Sequence, residues 1–341
     1  MPQQQKRPAS LRIAVTGVTG FVGSHVVRRL SGRGHEVRAL VRDRSRLRKK
    51  FPDTAKIVEG ELGDEPAVDA LVDQADVVLH VAGAIKAVDT AGFMAVNAEG
   101  TRSILAAAKR AGVRRFVHVS SLAAREPSLS PYCGSKAQAE KIIASSGEGL
   151  DWVCIRPPAV YGPGDRATLP LIQQLTRRHA FLTGVPGQRI SLIHVEDLAR
   201  GLVAAAEGEL IPGRTYEADD GTEQGYSWSD LAIAAGRSLG FTPRVHLLPR
   251  AVVELAGLAG EGIARVTGKA QILTRGKVRE LYHHDWLIKG ARLDKTGAWT
   301  PRIKFDDGFE STYRWYRAHG WLPNTQDMPT KRHIVDGDNT V

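Results

Sequence analysis

The stretch Leu11-Arg-Ile-Ala-Val-Thr-Gly-Val-Thr-Gly-Phe-Val-Gly23 decides the fold of this 341-residue chain. Its first six residues are rich in aliphatic side chains and predict a strand, and a helix is predicted over 21–33. The glycines between them have the spacing of a dinucleotide-binding turn. Gly17 permits a tight turn, Gly20 lets the backbone approach a pyrophosphate, and Gly23 lets helix and strand pack closely. The N-terminus of the helix then offers N–H groups to the phosphates.

After this turn, short β-rich runs alternate with helical stretches, the order that gives a parallel sheet covered on both faces. Further strands are predicted over 36–41, 56–59, 76–81, 115–120 and 152–156, and long helices over 90–111 and 132–146. We therefore predict an α/β fold of Rossmann type. It has a doubly wound parallel sheet and a smaller C-terminal substrate-binding region.

The composition of the chain changes after Pro157-Pro158, where loops rich in Gly and Pro separate shorter predicted elements. We predict a dinucleotide-binding Rossmann domain over 10–160 and a mainly substrate-binding region over 161–322, interwoven with the first. Residues 323–341 are predicted to be a disordered tail, because they are polar and show no periodicity.

Composition indicates an ordinary soluble globular protein, with 42% hydrophobic and 25% charged residues. Two cysteines do not suggest a disulfide framework, and no Cys/His cluster has zinc-ligand spacing, so we expect no metal. The start lacks the apolar core of a signal peptide, and no uncharged apolar run of about 18 residues occurs, so we expect a cytoplasmic protein. The formal charge of +10 is scattered and not interleaved with aromatic residues, which argues against nucleic acid as a partner.

The residues after the second predicted strand indicate which nicotinamide cofactor fits. NAD sites usually place an acidic side chain there, which binds the ribose 2′-hydroxyl. In this chain Arg42 follows the strand and Arg46 lies nearby, and an arginine fork can hold a 2′-phosphate. We therefore predict a preference for NADP(H), with NAD(H) as the alternative. The basic run over 42–50 also fits a solvated surface face, and Asp43 adds ambiguity.

Tyr132 and Lys136 lie four residues apart, which places both side chains on one face of a predicted helix. An ammonium beside a phenol favours the phenolate, so we expect a lowered pKa for Tyr132. Such a tyrosine can exchange a proton with an alcohol or a ketone near neutral pH. Downstream of a dinucleotide fingerprint, the pair predicts carbonyl chemistry.

Taken together, the motifs resemble the extended short-chain dehydrogenase/reductase family, which includes NAD-dependent epimerases and dehydratases. The resemblance covers about 10–322 and is nearest to members of the 3β-hydroxysteroid dehydrogenase type. The matching pieces are Thr16-Gly-x-x-Gly-Phe-Val-Gly23, His80-Val-Ala-Gly83, Asn97-Ala-Glu-Gly-Thr101, Val119-Ser-Ser121, Tyr132-x-x-x-Lys136, Arg156-Pro-x-x-Val-Tyr-Gly-Pro-Gly164 and His194-Val-Glu-Asp-Leu198.

This resemblance implies a catalytic trio. Tyr132 would be the general acid/base for the substrate oxygen, and Lys136 would lower its pKa and bind the nicotinamide ribose. Ser121 would orient and polarise the carbonyl, with Ser120 as the competing candidate. Cofactor binding is assigned to Gly17, Thr19, Gly20, Phe21, Val22, Gly23, Arg42, Arg46, Glu61, Leu62, Val81, Ala82, Lys136, Pro157 and Val160. Relatives often dimerise through the two long helices flanking the sheet, so we also expect a homodimer.

Three features bear on the substrate. Only eleven positions separate Ser121 from Tyr132, and Ala159 stands where nucleotide-sugar members commonly have an asparagine. Both departures argue against a nucleotide sugar. A helix over 251–267 has a wide apolar face, which could cover a lipophilic substrate, touch a membrane surface as a peripheral contact, or pack against the domain.

We therefore predict an NAD(P)-dependent oxidoreductase that interconverts a secondary alcohol and a ketone. The expected substrate is a small hydrophobic molecule, either steroid-like or a β-hydroxy/keto acyl compound. Two alternatives stay open: a nucleotide-sugar epimerase or dehydratase, and a non-catalytic relative that binds the cofactor.

Overall fold

The computed structural model describes residues 10–47, 51–146, 149–208 and 210–322. The predicted tail, 323–341, lies outside these ranges. In chain order the described strands are β1 (Arg12–Thr16), β2 (Glu36–Val41), β3 (Lys56–Glu59), β4 (Val77–His80), β5 (Arg115–Val119), β6 (Asp151–Arg156), β7 (Ala159–Tyr161), β8 (His179–Leu182), β9 (Arg189–Ile190), β10 (Leu192–His194), β11 (Arg214–Glu217), β12 (Tyr226–Ser227), β13 (Arg244–Leu247) and β14 (Asp285–Trp286).

The described helices alternate with these strands in the first half of the chain and cluster in the second half. They are α1 (Phe21–Gly32), α2 (Glu65–Val72), α3 (Thr90–Met94), α4 (Gly100–Arg110), α5 (Pro131–Ser146), α6 (Leu169–Leu175), α7 (Val195–Glu207), α8 (Trp228–Leu239), α9 (Arg250–Thr267), α10 (Arg275–Leu281) and α11 (Phe305–Ala318). A π-helical turn, Ala95–Glu99, joins α3 to α4.

A seven-stranded parallel sheet forms the centre, in the order β11-β6-β5-β4-β1-β2-β3. The predicted Rossmann-type α/β fold is therefore confirmed. The strand order reverses between β1 and β4, and ligands of such sheets bind at the carboxyl ends of the strands beside this reversal. All six strands predicted in the first half are present, whereas β11 and α2 were not predicted.

Apolar residues pack against both faces of the sheet. One cluster lies under α1 and α7 and includes Val26, Leu30 and Leu202, each with no exposed surface. The opposite cluster lies under α2, α4 and α5 and includes Leu71 and Ile104. Because both faces are covered, the strands are rigidly held and their ends make a fixed platform.

The C-terminal elements contribute to two places. β11 pairs with β6 in the central sheet, and α7 packs on its face. The other elements surround an aromatic cluster around Tyr161, Phe305 and Tyr316, while α9 and α10 form a separate hairpin beside it. Within the described ranges, no helix is both long enough and apolar enough to cross a membrane.

Candidate active site

Two positions at the junction of β1 and α1, Gly17 and Gly23, have room for glycine only. Gly17 has a φ of +75°, and a Cβ atom there would lie 2.5 Å from the backbone nitrogen of Ala82. A Cβ atom on Gly23 would lie 2.2 Å from the carbonyl oxygen of Gly17. No side chain caps the N-terminus of α1, and its first turn has no acidic residue. The turn therefore fits the pyrophosphate of a dinucleotide.

A buried hydrogen-bond chain fixes the strand ends beside this turn. The hydroxyl oxygen of Thr16 lies 2.7 Å from Nδ1 of His80 and accepts the N–H of Ala82 at 3.2 Å. The other ring nitrogen of His80 lies 3.0 Å from the hydroxyl of Thr101. Burial lowers the pKa of His80 to about 3, so the ring is neutral. His80 thus has a structural role and ties β1 to β4.

At the end of β2, the basic residues differ in their partners. Arg44 forms an ion pair with Glu59, which holds its guanidinium over β3. Asp43 caps its own 3₁₀ turn by accepting the N–H of Ser45 at 2.9 Å. In the described part of the chain, neither Arg42 nor Arg46 lies within ion-pair distance of a carboxylate, and both line the cleft.

The catalytic candidates lie at the ends of β5 and α5. Tyr132 is in the first turn of α5, and its phenol is hydrogen-bonded to the hydroxyl of Ser121. The hydroxyl oxygen of Ser121 also accepts the N–H of Ala123 at 3.2 Å. Phe93, at the end of α3, has its ring centroid 6.1 Å from that of Tyr132. The hydroxyl and the phenol therefore face the same point of the cleft.

The ionisation of Tyr132 differs from the sequence-based expectation. Burial is the largest cause and raises the pKa of Tyr132 to about 12, although the hydrogen bond with Ser121 lowers it. The ammonium of Lys136 donates instead to the carbonyl oxygen of Val119 at 2.8 Å. The expectation of a lowered pKa is therefore wrong in this structure, because desolvation of the phenolate is the largest influence on the phenol.

Lys136 is itself buried, with 4% of its surface exposed. Burial lowers its pKa to about 8, while the nearby carboxylate of Glu140 opposes that shift. A Cβ atom on Gly83 would lie 3.7 Å from the ammonium nitrogen. The ammonium therefore lies between the ends of β4 and β5, where the family resemblance expects it to meet a ribose.

Ser120, the competing serine, has a different partner. Its hydroxyl donates to Oε1 of Glu140, which also accepts from Nε of Arg156 at 2.8 Å. The other carboxylate oxygen of Glu140 lies 2.6 Å from Arg156. Both serines line the cleft, but Ser120 is held in a partly buried network with Glu140 and Arg156, which leaves Ser121 as the serine that bonds to the phenol of Tyr132. Sequence reasoning missed Glu140, although its position four residues after Lys136 on the same helix was a usable signal.

Asn97 lies in the π-helical turn and joins three segments. Its Oδ1 accepts the N–H of Ala84 at 2.7 Å, and its Nδ2 donates to the carbonyl of Ala84 at 3.0 Å and to the hydroxyl of Ser135 at 2.9 Å. The loop after β4 is thereby fixed to the helix that carries Tyr132. A π-helical turn at such a position is common at functional sites.

One cleft of 2210 Å³ connects these groups. All the residues assigned from the sequence to catalysis or cofactor binding line it: Gly17, Thr19, Gly20, Phe21, Val22, Gly23, Arg42, Arg46, Glu61, Leu62, Val81, Ala82, Ser121, Tyr132, Lys136, Pro157 and Val160. Large apolar side chains also line the cleft, together with polar and charged ones from the same elements such as Gln188 and Arg275: Phe93, Leu171, Phe181, Trp228, Ile272 and Trp286. Ala159 also faces it.

The C-terminal region covers the short loop after Ser121. Arg125, in that loop, donates to the backbone carbonyls of Leu287 at 2.6 Å and Asp285 at 3.0 Å. Arg279, on α10, donates to the carbonyl of Leu129 at 2.7 Å. The short loop is therefore covered by the segment around β14 and by α10.

Comparison with known proteins agrees with this geometry. The sequence profile of the NAD dependent epimerase/dehydratase family matches residues 13–218. The chain belongs to this family. The extended short-chain dehydrogenase/reductase resemblance and the prediction of an NAD-dependent enzyme are confirmed.

Two curated members of the family are similar in sequence. The ceramide reductase of Caulobacter vibrioides is 39% identical over 312 residues, which are 91% of this chain and 96% of that protein. The 3 beta-hydroxysteroid dehydrogenase/Delta 5-->4-isomerase of Mycobacterium tuberculosis is 31% identical over 245 residues, which are 64% of each chain. These relatives confirm the extended oxidoreductase class that the sequence predicted.

Two solved structures share the fold. Gox2253 superposes with a TM-score of 0.71 at 25% identity and covers 92% of this chain and 100% of that one. The Bordetella bronchiseptica enzyme WbmH, solved in complex with NAD+, has a TM-score of 0.67 at 21% identity. The match covers 91% of this chain and 99% of that one. WbmH supports the fold alone.

Proposed function

We propose that this family member is an NADP(H)-dependent oxidoreductase that interconverts a ketone and a secondary alcohol on a hydrophobic, lipid-like substrate. The observation that carries the proposal is the continuity of the cleft. The glycine turn, the Ser121–Tyr132 pair and Lys136 line the same cleft as the large apolar side chains of Phe93, Phe181 and Trp286.

In this mechanism the chain's own residues position the substrate and move a proton. Ser121 donates its hydroxyl to the carbonyl oxygen, while Tyr132 supplies the proton that this oxygen gains on reduction. The phenol is protonated at neutral pH, since its pKa is raised to about 12 by burial. When bound, the nicotinamide supplies or accepts the hydride. Lys136 and Asn97 keep the ends of β4, β5 and α5 in register around these groups.

Replacement of the phenol tests the catalytic role. Tyr132→Phe should lower turnover by about a hundredfold or more while leaving NADPH binding within about twofold, because only the transferable proton is removed. Tyr216→Phe is the matched control, since Tyr216 lies in β11 and does not line the cleft. Full activity in the Tyr132→Phe variant would remove Tyr132 from the mechanism.

The large apolar side chains that line the cleft support a lipid-like substrate. Phe181 and Ile272 are 48% and 49% exposed, so both project from the protein surface at the cleft. The similarity to a ceramide reductase over 91% of the chain supports the same substrate class. Reduction of a long-chain keto-ceramide and of a 3-ketosteroid by NADPH should be compared with conversion of a UDP-sugar to an epimer or a dehydrated product, which consumes no NADPH overall. Turnover restricted to the UDP-sugar would favour the epimerase or dehydratase alternative, and no turnover with any of them despite NADPH binding would favour a non-catalytic relative.

A preference for NADP(H) is supported by the partners of the basic residues after β2. Asp43 is engaged by Ser45 and Arg44 by Glu59, which supports Arg42 and Arg46 as the partners of a 2′-phosphate. A carboxylate free to bind the 2′-hydroxyl would favour NAD(H) instead.

Cofactor binding measured by fluorescence energy transfer tests this preference. The double variant Arg42→Ala/Arg46→Ala should weaken NADPH binding by about tenfold or more and leave NADH binding unchanged, because only the 2′-phosphate loses its partners. Arg44→Ala is the matched control. Equal affinities of the unaltered protein for both cofactors, or tighter binding of NADH, would refute the preference.

Peripheral membrane contact is supported by α9. Its outer face carries five large apolar side chains that are between 50% and 88% exposed: Val252, Leu255, Leu258, Ile263 and Val266. Its two acidic residues, Glu254 and Glu261, are paired with Arg250 and Arg275. Arg265 and Lys269 add positive charge at its C-terminal end. An apolar face flanked by basic side chains suits an anionic lipid surface.

Vesicle sedimentation tests the membrane contact. Binding should be stronger to vesicles with phosphatidylglycerol than to neutral vesicles, and the double variant Leu255→Ser/Val266→Ser should lose it. Ile211→Ser/Ile233→Ser is the matched control, since these side chains are also exposed and lie on other elements. Sedimentation with neither vesicle type would exclude the contact.

A homodimer through α4 and α5 and a cytoplasmic location complete the proposal. The dimer rests on the family resemblance, and sedimentation velocity tests it: a monomer at micromolar concentration would refute it. A dimer abolished by Leu255→Ser/Val266→Ser would place the contact on α9 instead. Both cysteines are free and buried, which is usual in reducing compartments and supports the cytoplasm.

A further inference from the structure

Exposed apolar side chains are concentrated around the cleft and on α9. Among the described residues, eleven large apolar side chains are exposed. Four of them line the cleft: Ile85, Val88, Phe181 and Ile272. Five are on α9: Val252, Leu255, Leu258, Ile263 and Val266. Only Ile211 and Ile233 lie elsewhere, so nine of the eleven belong to the cleft or to α9.

The faces of α9 follow from a rotation of about 100° per residue. One stripe is buried: Val253, Gly257 and Ala264. The next stripe holds Glu261 and Arg265, which line the cleft. The five exposed apolar side chains share the face that follows, and within this described helix that face has no charged residue. Because Leu258 is about 20° from Arg265 around the helix axis, the outer apolar face begins where the cleft-lining stripe ends.

The apolar rim of the cleft, defined here as Phe181 and Ile272, is close in the chain or in the sheet to both ends of α9. Phe181 lies in β8, which pairs with β13, and β13 leads directly into α9. Ile272 lies in the segment between α9 and α10. Both side chains line the cleft and are exposed. The rim is thus connected through short segments to both ends of the helix.

Basic side chains accompany the outer face of α9. Arg265 and Lys269 lie at its C-terminal end, and no carboxylate in the described ranges is within ion-pair distance of either. The two carboxylates of α9 are both paired with arginines. A second copy of this chain would bring the same basic groups against them, whereas an anionic bilayer supplies the opposite charge. Charge therefore favours a lipid surface over self-association on this face.

We propose that the cleft opens onto the bilayer. With the outer face of α9 in an anionic lipid surface, the apolar rim meets the lipid, and the substrate passes from the bilayer into the cleft without crossing water. This route rests on the proposed lipid-like substrate and membrane contact, and it adds the place of entry. A long acyl chain strongly disfavours water, so direct passage removes the unfavourable step from lipid to solvent.

Quenching of a fluorescent label by brominated lipids tests the position of the rim without any substrate. Single cysteines are introduced as Leu258→Cys on α9 and Ile272→Cys at the rim, and each is labelled with a nitrobenzoxadiazole fluorophore. Cys133 and Cys154 are buried and do not compete for the label. Ile211→Cys is the matched control, since Ile211 is exposed and lies shortly before β11, at the edge of the parallel sheet opposite the cleft.

Brominated phosphatidylglycerol vesicles should quench the labels at Leu258 and Ile272 by about half or more, and the label at Ile211 by less than about a tenth. Quenching at Leu258 without quenching at Ile272 would overturn the proposal, because α9 would then rest on lipid with the rim in water. Quenching at neither position overturns it as well. A Leu258 label that becomes shielded as the protein concentration rises, without vesicles, would show that a second copy covers α9, and this also overturns the proposal.

Turnover tests the route itself. A long-chain keto-ceramide in phosphatidylglycerol vesicles is compared with a short-chain, water-soluble analogue, each reduced with NADPH. Leu255→Ser/Val266→Ser should lower turnover of the vesicle substrate by about tenfold or more and leave that of the soluble analogue within about twofold, because neither side chain lines the cleft. Ile211→Ser/Ile233→Ser is the matched control and should change neither rate.

Two results of the turnover measurement contradict the route. Unchanged turnover of the vesicle substrate by Leu255→Ser/Val266→Ser would overturn the proposal, and so would equal losses with both substrates. Failure of the proposed function looks different, since the unaltered protein would then reduce neither substrate. In that case the labels at Leu258 and Ile272 still decide whether the cleft opens onto the bilayer.

Discussion

The Rossmann sheet and the α9–α10 hairpin form two walls of one cleft, and they are stabilised in different ways. In α1, Val26, Val27 and Leu30 have no exposed surface and pack against the sheet. The longer α9 buries only Val253, Gly257 and Ala264.

This difference in burial matches a difference in role. The sheet wall binds the cofactor that the family shares, and the hairpin wall contributes to recognition of the particular substrate. The sheet wall is built from backbone turns and strand ends, and small changes there are felt directly because the packing leaves no room. The hairpin wall has only a small apolar cluster around Val253, Val278 and Tyr282 and is tied to α5 by polar contacts such as the bond from Ser130 to Glu280. Its outer surface can therefore change without unfolding the protein.

The largest expected effect is on the sheet wall. Gly17→Val should weaken NADPH binding by about a hundredfold or more, because a Cβ atom there would lie 2.5 Å from the backbone nitrogen of Ala82 and the φ of +75° disfavours a branched residue. Fluorescence titration with NADPH measures this. Gly32→Ala is the matched control, since a Cβ atom at Gly32 has open space, and it should leave binding unchanged. Normal binding by Gly17→Val would mean that the turn does not contact the cofactor.

A pair of truncations in the two walls should give the next largest effect. Leu79→Ala, in β4, should lower the free energy of unfolding by about 2–5 kcal/mol, because Leu79 is fully buried. Leu258→Ala, on the outer face of α9, should change it by less than about 0.5 kcal/mol, because that side chain is 50% exposed. Urea unfolding measures both. Equal losses would show that α9 is covered by another surface in solution.

The sheet wall was largely predictable from sequence because its signals are local. The glycine turn, the strand preceding it and the Tyr132–Lys136 spacing each lie within about a dozen residues, and each restricts the backbone or a helix face in one way. The strands and the long helices were therefore placed within one or two residues. The weak point was energetic: the spacing of Tyr132 and Lys136 could not show that burial would raise the pKa of the phenol.

The hairpin wall was not predictable in the same way. The helix over 251–267 was found from its apolar periodicity, but the pattern does not tell which part of that face is buried. Ser130 and Glu280 are 150 positions apart in the sequence. Arg125 and Leu287, which are also hydrogen-bonded, are 162 positions apart. No local pattern encodes such pairs, since they depend on how the elements are arranged in three dimensions. β11 was missed for the same reason, because its role is set by pairing with β6.

The smallest effect on stability is expected at the ion pairs that join α7 to α1. Glu196, at the start of α7, accepts from His25 at 2.7 Å, Arg28 at 2.6 Å and Arg29 at 2.8 Å, all on α1. The pKa of Glu196 is lowered to about 2. The hydrogen bond with His25 is the largest cause, and the hydrogen bond with Arg29 contributes as well. A carboxyl with a lowered pKa stabilises the fold above its unfolded pKa, and this contribution is lost as the pH falls through the folded value.

Glu196→Gln should therefore lower the free energy of unfolding by about 1–2 kcal/mol at neutral pH, a value reduced for the solvent screening of a partly exposed pair. The gap from the unaltered protein should narrow as the pH falls from about 4.5 towards 2, because the unaltered protein then loses the same contribution. Urea unfolding at neutral pH and at about pH 3 measures the gap. Glu99→Gln, which removes an exposed pair with Arg102, should change stability by less than about 0.5 kcal/mol. A gap that stays constant with pH would mean that the join between α1 and α7 is made by packing around Val26 and Leu202, as on the rest of the sheet wall, and not by the charge of Glu196.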